Sequence, residues 1–276
     1  MTALDELLGV MARLRDPERG CPWDGQQDFR SIVPHTLEEA YEVADAIERG
    51  DRAAMRDELG DLLFQVVFYA QLGREEGAFD FESIARGVTD KLIRRHPHVF
   101  GAHQETTAAG QRATWEAIKA EERRNARSGD QPDSALDDIP LALPALTRSR
   151  KLQSRAARVG FDWPDDAPVV EKIREELAEV EAAMAMTPAD DAAVAEEIGD
   201  LLLACVNLAR RRGVDPEQAL RAGNAKFERR FRGLEAILRE TGLRPEDVDF
   251  DTLEAAYQRA KAAEAGDEGA EPTDNG

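Results

Sequence analysis

The chain has 276 residues, 42% hydrophobic and 33% charged, which supplies a core for one large domain or two of ordinary size. Acids outnumber bases 56 to 36, and the formal net charge of −20 repels phosphate backbones and anionic lipid, so nucleic-acid and membrane binding are set aside while divalent cations are favoured. No apolar run approaches the ~18–20 residues of a membrane span. The acidic opening "MTALDELLGVMARLRDPERG" shows no signal-peptide pattern, and Cys21 and Cys205 give no disulfide framework, so a reducing cytoplasm is the expected location.

In chain order, Leu4, Leu7, Leu8, Met11 and Leu14 recur at helical spacing. The same periodicity marks 37–48, 54–75, 81–96 and 108–124. Residues 125–138, "NARSGDQPDSALDD", carry no apolar stripe and read as a linker. Helical stripes resume over 141–158, 169–186, 192–212, 216–240 and 251–264, and 265–276 read as a disordered acidic tail. No stretch alternates with period two, so the expected fold class is all-α.

The two halves repeat each other. "CPWD" (21–24), "LEEAYEV" (37–43), "DELGDLL" (57–63), "DKLIRRHPHVF" (90–100) and "TWEAIKAEE" (114–122) are followed by "GFDW" (160–163), "REELAEV" (174–180), "EEIGDLL" (196–202), "NAKFERRF" (224–231) and "AYQRAKAAE" (256–264). The order is kept and the gaps nearly so: Glu42 to Glu58 spans 16 positions and Glu179 to Glu197 spans 18. A tandem duplication of a helical module, over 1–124 and 139–264, is expected.

Each module carries two acid-x-x-acid pairs. Glu39 with Glu42, and Glu58 with Asp61, each share a helix face, as do Glu176 with Glu179 and Glu197 with Asp200. A short connection makes the two helices antiparallel neighbours, so four carboxylates converge across one seam. A single pair is weak in so acidic a chain, and Thr36 with Glu39 also fits a capping box. Two ordered pairs recurring beside Gly-Asp-Leu-Leu are specific. The runs "LLFQVVFYA" and "LLLACVNLA" are apolar nearly all round, which predicts burial of Asp61 and Asp200 at their heads. A carboxylate entering a core needs compensation, and hard oxygen donors suit Mg²⁺, with Mn²⁺ as a substitute. Gly60 and Gly199 each cost about 1 kcal/mol in a helix and are expected to admit a close backbone or a ligand.

A basic helix follows each quartet, with Lys91, Arg94 and Arg95 in the first half and Lys226, Arg229 and Arg230 in the second. A metal beside lysine and arginine is a clamp for a polyphosphate. Lys172 joins this phosphate-binding set. Trp115 and Tyr257 match in the last helix of each half and are candidate stacking surfaces for a base, whereas Trp23 and Trp163 read as packing residues. The absence of Glu-x-x-His argues against a di-iron bundle, and no Gly-rich phosphate loop is present.

"LEEAYEV…DELGDLLFQVVFYAQ" with "DKLIRRHPHVF", and "REELAEV…EEIGDLL" with "NAKFERRF", closely resemble the tandem-domain MazG-type nucleoside triphosphate pyrophosphohydrolases over roughly residues 1–264. The resemblance implies an all-α module dimerising into helical bundles of the four-helix type. It also implies Mg²⁺-dependent cleavage of nucleoside triphosphates to monophosphates and pyrophosphate. By motif, Glu176, Glu179, Glu197 and Asp200 are implied metal ligands and Lys226 and Arg230 phosphate holders. Glu39, Glu42, Glu58, Asp61, Lys91 and Arg95 are their first-half counterparts. Glu38 and Glu175, beside the quartets, are the candidate general bases. Asp90 precedes the first lysine where Ala225 precedes the second, and an extra carboxylate there repels a triphosphate, which favours the second half as the working site. The rival reading is a non-catalytic Mg²⁺ or nucleotide sensor, or a bare dimerisation bundle, neither of which gives turnover.

Overall fold

The computed structural model describes residues 2–101, 107, 110, 111, 114, 115, 118, 119, 121, 122, 134–186 and 190–267. Among these, every regular element is a helix, as the period-3.6 stripes require. The chain divides into two compact units, Met1–Asp130 and Gln131–Gly276. Positions 125–133 of the expected linker, 268–276 of the expected tail and part of the 108–124 stripe lie outside the described residues.

The first unit contains α1 (Ala3–Leu14), α2 (Pro22–Gln26), α3 (Phe29–Glu48), α4 (Arg52–Glu75), α5 (Phe81–Arg95) and α6 (Pro97–Phe100), and 110–122 is helical at its described positions. The helix α3 begins at Phe29, earlier than the expected 37. Asp28 caps it by accepting from the backbone N–H groups of Arg30 and Ser31, and the Ser31 hydroxyl returns to the Asp28 N–H. Pro34 lies inside and forgoes one ladder bond. The capping role read for Thr36 is therefore overturned: Thr36 is mid-helix, its hydroxyl donating to the Ile32 carbonyl at 3.1 Å and meeting the Tyr69 hydroxyl at 2.9 Å. Gly50, at φ +67°, takes the left-handed turn that folds α4 back along α3. The core of this unit is Met11, Ile32, Val67, Phe68 and Leu72, with Phe29, Phe64 and Tyr69 against it. Arg15 ties α1 to the end of α4 through Glu75 at 2.7 Å.

The second unit contains α7 (Ala145–Arg158), α8 (Ala167–Met184), α9 (Asp191–Arg211), α10 (Pro216–Glu240), a 3-10 turn at Pro245–Asp247 and α11 (Phe250–Asp267). The hairpin α8–α9 repeats α3–α4, and these two pairs make the most extensive helix contacts of their units. Leu234, Leu238 and Ala256 form a second core where α11 lies on α10.

The apolar runs after Asp61 and Asp200 are not buried all round. Leu63 is 41% and Leu202 50% exposed, whereas Val67, Phe68, Ala204 and Val206 are buried. Asp61 and Asp200 are themselves exposed, correcting their expected burial. The helices packed on each hairpin, α1 and α5 on α4 and α7 and α10 on α9, leave one apolar flank uncovered among the described residues. The close neighbour expected at Gly60 and Gly199 is also absent among the described residues: outside its own helix turn, a Cβ built on either meets no atom within 4 Å. At Gly233 it would meet the Cβ of Ala260 at 2.9 Å, so this glycine is what seats α11 on α10.

Gly199→Ala is expected to raise stability by about 1 kcal/mol through helix propensity alone. Gly233→Ala is expected to lower it despite the same propensity gain. Thermal melts of the two variants check both signs, and a destabilised Gly199→Ala protein would mean that something outside the chain fills that position.

Candidate metal centre

Three carboxylates meet in each unit. Glu39, Glu58 and Asp61 each offer an oxygen, and these oxygens lie within 4.8 Å of one another; Glu176, Glu179 and Glu197 do the same. The geometry follows from spacing. Three residues advance a helix by just under one turn, so each acid pair looks out from one face, and the antiparallel hairpin brings two such faces together. Two of the eight expected ligands fall outside these triads. Glu42 is exposed and hydrogen-bonds the Glu39 carboxyl. Asp200 lies on the rim of a cavity that Glu176 also lines.

The triads differ in how their charge is borne. Glu176 is 5% exposed, the most buried carboxylate of the set, and Lys172 one turn earlier bonds it at 2.8 Å. Lys172 also holds Glu175 at 2.7 Å, so this candidate base is exposed and ion-paired, and the lysine is held even more firmly protonated by both partners. In the first unit His35 stands where Lys172 does, four residues before Glu39, and lies 3.6 Å from the exposed Glu38. There the amide of buried Gln65 reaches Glu39 at 3.5 Å. Burial first, then repulsion from Asp61 and Glu42, raises the Glu39 carboxyl above its ordinary range. Glu58 is raised by burial and then by Glu42 and Asp61, and Glu179 by burial and its hydrogen bond with Glu176. Clustered carboxylates that resist ionising together are the electrostatic signature of a site suited to a cation.

The arginines of the two basic helices bond carboxylates outside the triads. Arg94 and Arg95 both bond Glu122, with the Arg94 Nε donating at 2.7 Å and the Arg95 Nε at 3.0 Å. Arg229 and Arg230 do the same to Glu264 at 3.3 and 2.7 Å. The two arginines hold the Glu122 carboxyl down to about 2. Glu122 and Glu264 each stand seven residues after the aromatic of the repeat, Trp115 and Tyr257, and sequence reasoning missed both. The signal was present, since the aligned strings "TWEAIKAEE" and "AYQRAKAAE" both end in them. Lys91 and Lys226 are exposed on α5 and α10.

Both candidate stacking aromatics are partly exposed and have neighbours in their own units. Trp115 lies under Lys119 at 4.2 Å and Arg95 at 5.9 Å, and Tyr257 packs against the Leu234–Leu238 core and Phe227. Trp163, expected to be a packing residue, instead lines the cavity beside Glu176 and is 44% exposed. Trp23 is likewise 52% exposed, edge-on to His35.

The raised carboxyls set a pH dependence. A group whose folded pKa is raised contributes stability that is fully present below its unfolded pKa and lost as pH rises through the folded one. Glu58→Gln removes one such group. The metal-free parent is therefore expected to lose stability relative to Glu58→Gln as pH climbs from the ordinary glutamate range towards neutrality. Mg²⁺ should reverse the ranking at neutral pH, because at about a hundredfold excess over Kd a bound ion stabilises the parent by ~2.7 kcal/mol. Paired melts across pH, with and without Mg²⁺, check both.

The MazG nucleotide pyrophosphohydrolase domain model matches this chain twice, over residues 27–100 and 167–233, each match spanning one carboxylate hairpin. The chain is 52% identical over 264 residues to the nucleoside triphosphate pyrophosphohydrolase of Escherichia coli K12, covering 96% of this chain and 99% of that protein. It is 42% identical over 260 residues to the nucleoside triphosphate pyrophosphohydrolase/pyrophosphatase MazG of Thermotoga maritima, covering 94% and 96%. It is also 39% identical over 255 residues to the uncharacterized protein YabN of Bacillus subtilis, covering 92% of this chain and 51% of that one. With two copies of the domain and near full-length similarity to its relatives, this chain belongs to the MazG nucleotide pyrophosphohydrolase family.

Proposed function

We propose that this protein hydrolyses nucleoside triphosphates to monophosphates and pyrophosphate, using Mg²⁺ held by the carboxylate triads. The carrying observation is the duplicated convergence of three carboxylates at one helix seam in a chain of this family. Glu176, Glu179 and Glu197 would hold the ion in the second unit, and Glu39, Glu58 and Asp61 in the first; Asp200, three residues after Glu197, and Glu42, three after Glu39, are the fourth candidates. When bound, Mg²⁺ lowers the pKa of a water and neutralises phosphate charge.

The chain's own residues supply the rest. Lys172 pairs with the buried Glu176 at 2.8 Å and carries positive charge to the wall where phosphates arrive. Glu175, exposed beside it, is a candidate to accept the water's proton once Lys172 turns to substrate. The Glu264 carboxylate fixes Arg229 and Arg230 as a pair. A planar fork held this way spends less side-chain entropy on meeting a phosphate. The second unit is the working one in this reading, because Ala225 leaves its lysine without the carboxylate that Asp90 sets beside Lys91.

The uncovered flanks support a homodimer. Leu59, Leu63 and Leu37 in the first unit, and Leu177, Ile198 and Leu202 in the second, are large apolar side chains at 41–50% exposure on the carboxylate hairpins. A second copy laid hairpin against hairpin makes a four-helix core. No described helix is long and apolar enough to cross a membrane, and a cytoplasmic location fits the reduced cysteines. We place the boundary between the modules within 125–138.

Incubation of a nucleoside triphosphate with Mg²⁺ is expected to give monophosphate and pyrophosphate; diphosphate with orthophosphate would put the cut at the wrong phosphorus. Glu197→Gln should abolish release and Glu58→Gln should spare it. Fragments severed between 125 and 138 should each self-associate by ultracentrifugation, and monomeric, fully stable halves would count against the hairpin interface.

A further inference from the structure

Three consecutive arginines stand at the end of α9, and they differ in what they hold. Arg211 and Arg212 serve the start of α8. The Arg211 Nε donates to the Asp166 Oδ1 at 2.8 Å and the Arg212 Nη1 to its Oδ2 at 3.0 Å, while the Arg211 Nη1 donates to the Trp163 carbonyl at 2.6 Å. Arg210 reaches different groups. Its Nη2 donates to the Asp162 Oδ1 at 2.5 Å and to the Asn207 Oδ1 at 2.7 Å, and its Nε donates to the same Asn207 oxygen at 3.1 Å. Asn207 and Arg210 are three apart and share a face of α9. The Asp162 Oδ1 also accepts the Trp163 N–H at 2.9 Å. One guanidinium, 14% exposed, thus joins a side chain of α9 to the 160–163 loop opposite.

These groups are walls of one cavity of about 490 Å³. Asp162 and Trp163 line it from the loop and Asn207 and Arg210 from α9, and Glu176 and Asp200 of the metal centre are also on its wall. A triphosphate seated on that centre has its nucleoside end at this cavity. Packing does little to place the loop. Gly160 leaves α7 at φ +89°, and Val159 and Phe161 on either side of it are 69% and 81% exposed. The loop's position therefore depends on its polar ties. The Arg210 guanidinium, more than any other neighbour, holds the Asp162 carboxyl below the ordinary carboxylate range, and such charge-assisted bonds are the strong ones.

The first unit seats its loop without this link. Asn207 and Arg210 lie seven and ten residues after Asp200; Phe68 and Gln71 lie seven and ten after Asp61. Phe68 is packed in the core, and Gln71 turns to Glu75 at 2.9 Å. Arg15 of α1 holds the corresponding segment instead, donating to the carbonyls of Asp24 at 2.5 Å and Gln27 at 3.0 Å. A module of this fold thus fastens its loop with no arginine on the seam helix. The link from loop to Asn207 belongs to the unit that has the cavity.

We propose that Arg210 is a positioning residue of the second unit, acting through Asn207 and Asp162 to set the two walls of the cavity at the spacing that the nucleoside end of the substrate requires, and leaving the phosphate and metal end untouched. This role rests on the triphosphate reading above and adds what holds the walls. Lysine cannot take it over, because a single ammonium lacks the planar fork that serves Asp162 and Asn207 together.

In the full chain, Arg210→Lys, Asp162→Ala and Asp162→Asn are assayed for pyrophosphate release with Mg²⁺ and a nucleoside triphosphate, and for inhibition by inorganic tripolyphosphate. Arg210→Lys is expected to raise KM at least about tenfold with kcat within about threefold, since displaced walls cost binding rather than chemistry. The tripolyphosphate inhibition constant should stay within about twofold of the parent's, because that ligand meets only the phosphate end. Asp162→Ala should show the same split, and the double variant should raise KM no further than the larger single, as members of one network do. Asp162→Asn keeps an acceptor oxygen for Arg210 and should hold KM within about threefold of the parent's. A merely structural arginine gives a lowered melting temperature and a lowered kcat with KM unchanged. That result, KM effects that multiply in the double variant, or a tripolyphosphate constant rising in step with KM overturns the proposal. Asp162 is exposed, so its variants carry the test should Arg210→Lys not fold. A parent that releases no pyrophosphate sinks the hydrolytic reading alone. Equilibrium dialysis of a nucleoside monophosphate then reads the walls: affinity at least about tenfold weaker in Arg210→Lys supports the role, and an unchanged affinity, or no binding by the parent, overturns it.

Discussion

Like charge forced together at a helix seam is the constraint around which each unit is arranged. Three carboxylate oxygens within 4.8 Å repel one another, and a hairpin that brings them together must hold against that repulsion. The packing that does so lies on the far side of α4 and α9. In the first unit Val67, Phe68 and Leu72 anchor α4 on α1 and α3. In the second, buried Val169, Val180 and Val206 stand on the hairpin itself, and Arg210 and Arg211 lash the preceding loop to α9. Apolar burial on one face thus holds an electrostatic conflict on the other, one that a bound cation would offset. This is the physical sense of setting acids at the head of apolar helices.

The two units answer the constraint differently. The second places Lys172 against the buried Glu176, so part of the negative charge is met inside the chain and a positive group remains at the cavity mouth. The first has His35 in that place and a neutral amide, Gln65, reaching the triad, with Phe68 driven into the core behind it. At the position matching Asn207 of the cavity wall the first unit thus has Phe68, packed in its core. The Gln153 oxygen beside that cavity is buried and has no partner among the described residues.

Much of this was legible in the sequence. The helices followed from apolar periodicity, and the order of the strings from "CPWD" to "AYQRAKAAE" showed the duplication, because both depend on short-range spacing. Convergence of Glu176, Glu179 and Glu197 followed from i, i+3 geometry and one tight connection. What stayed hidden depends on long range or on absence. The start of α3 was missed because Pro34 and His35 masked a helix that Asp28 caps. The burial of Asp61 and Asp200 was overestimated because periodicity cannot say how many neighbours a helix has. Arg15 with Glu75, 60 residues apart, leaves no local trace. The cavity leaves none either, since its walls come from segments between Gln153 and Arg210 that are far apart in sequence.

The arginine pairs carry the comparison one step further. Glu122 and Glu264 occupy the same repeat position and each fastens two adjacent arginines, so this feature was kept in both units while the surroundings of the triads diverged. Adjacent arginines repel, and a single carboxylate shared between them offsets that repulsion at little cost in burial, since Arg95 and Arg230 keep their stems partly covered while Arg94 and Arg229 reach into water. Such a pair stabilises the contact between the arginine helix and the last helix of its module whether or not any phosphate arrives. Its retention in the first unit therefore follows from folding alone. Retention of the acids there has no such explanation, because three repelling carboxylates do nothing for stability by themselves.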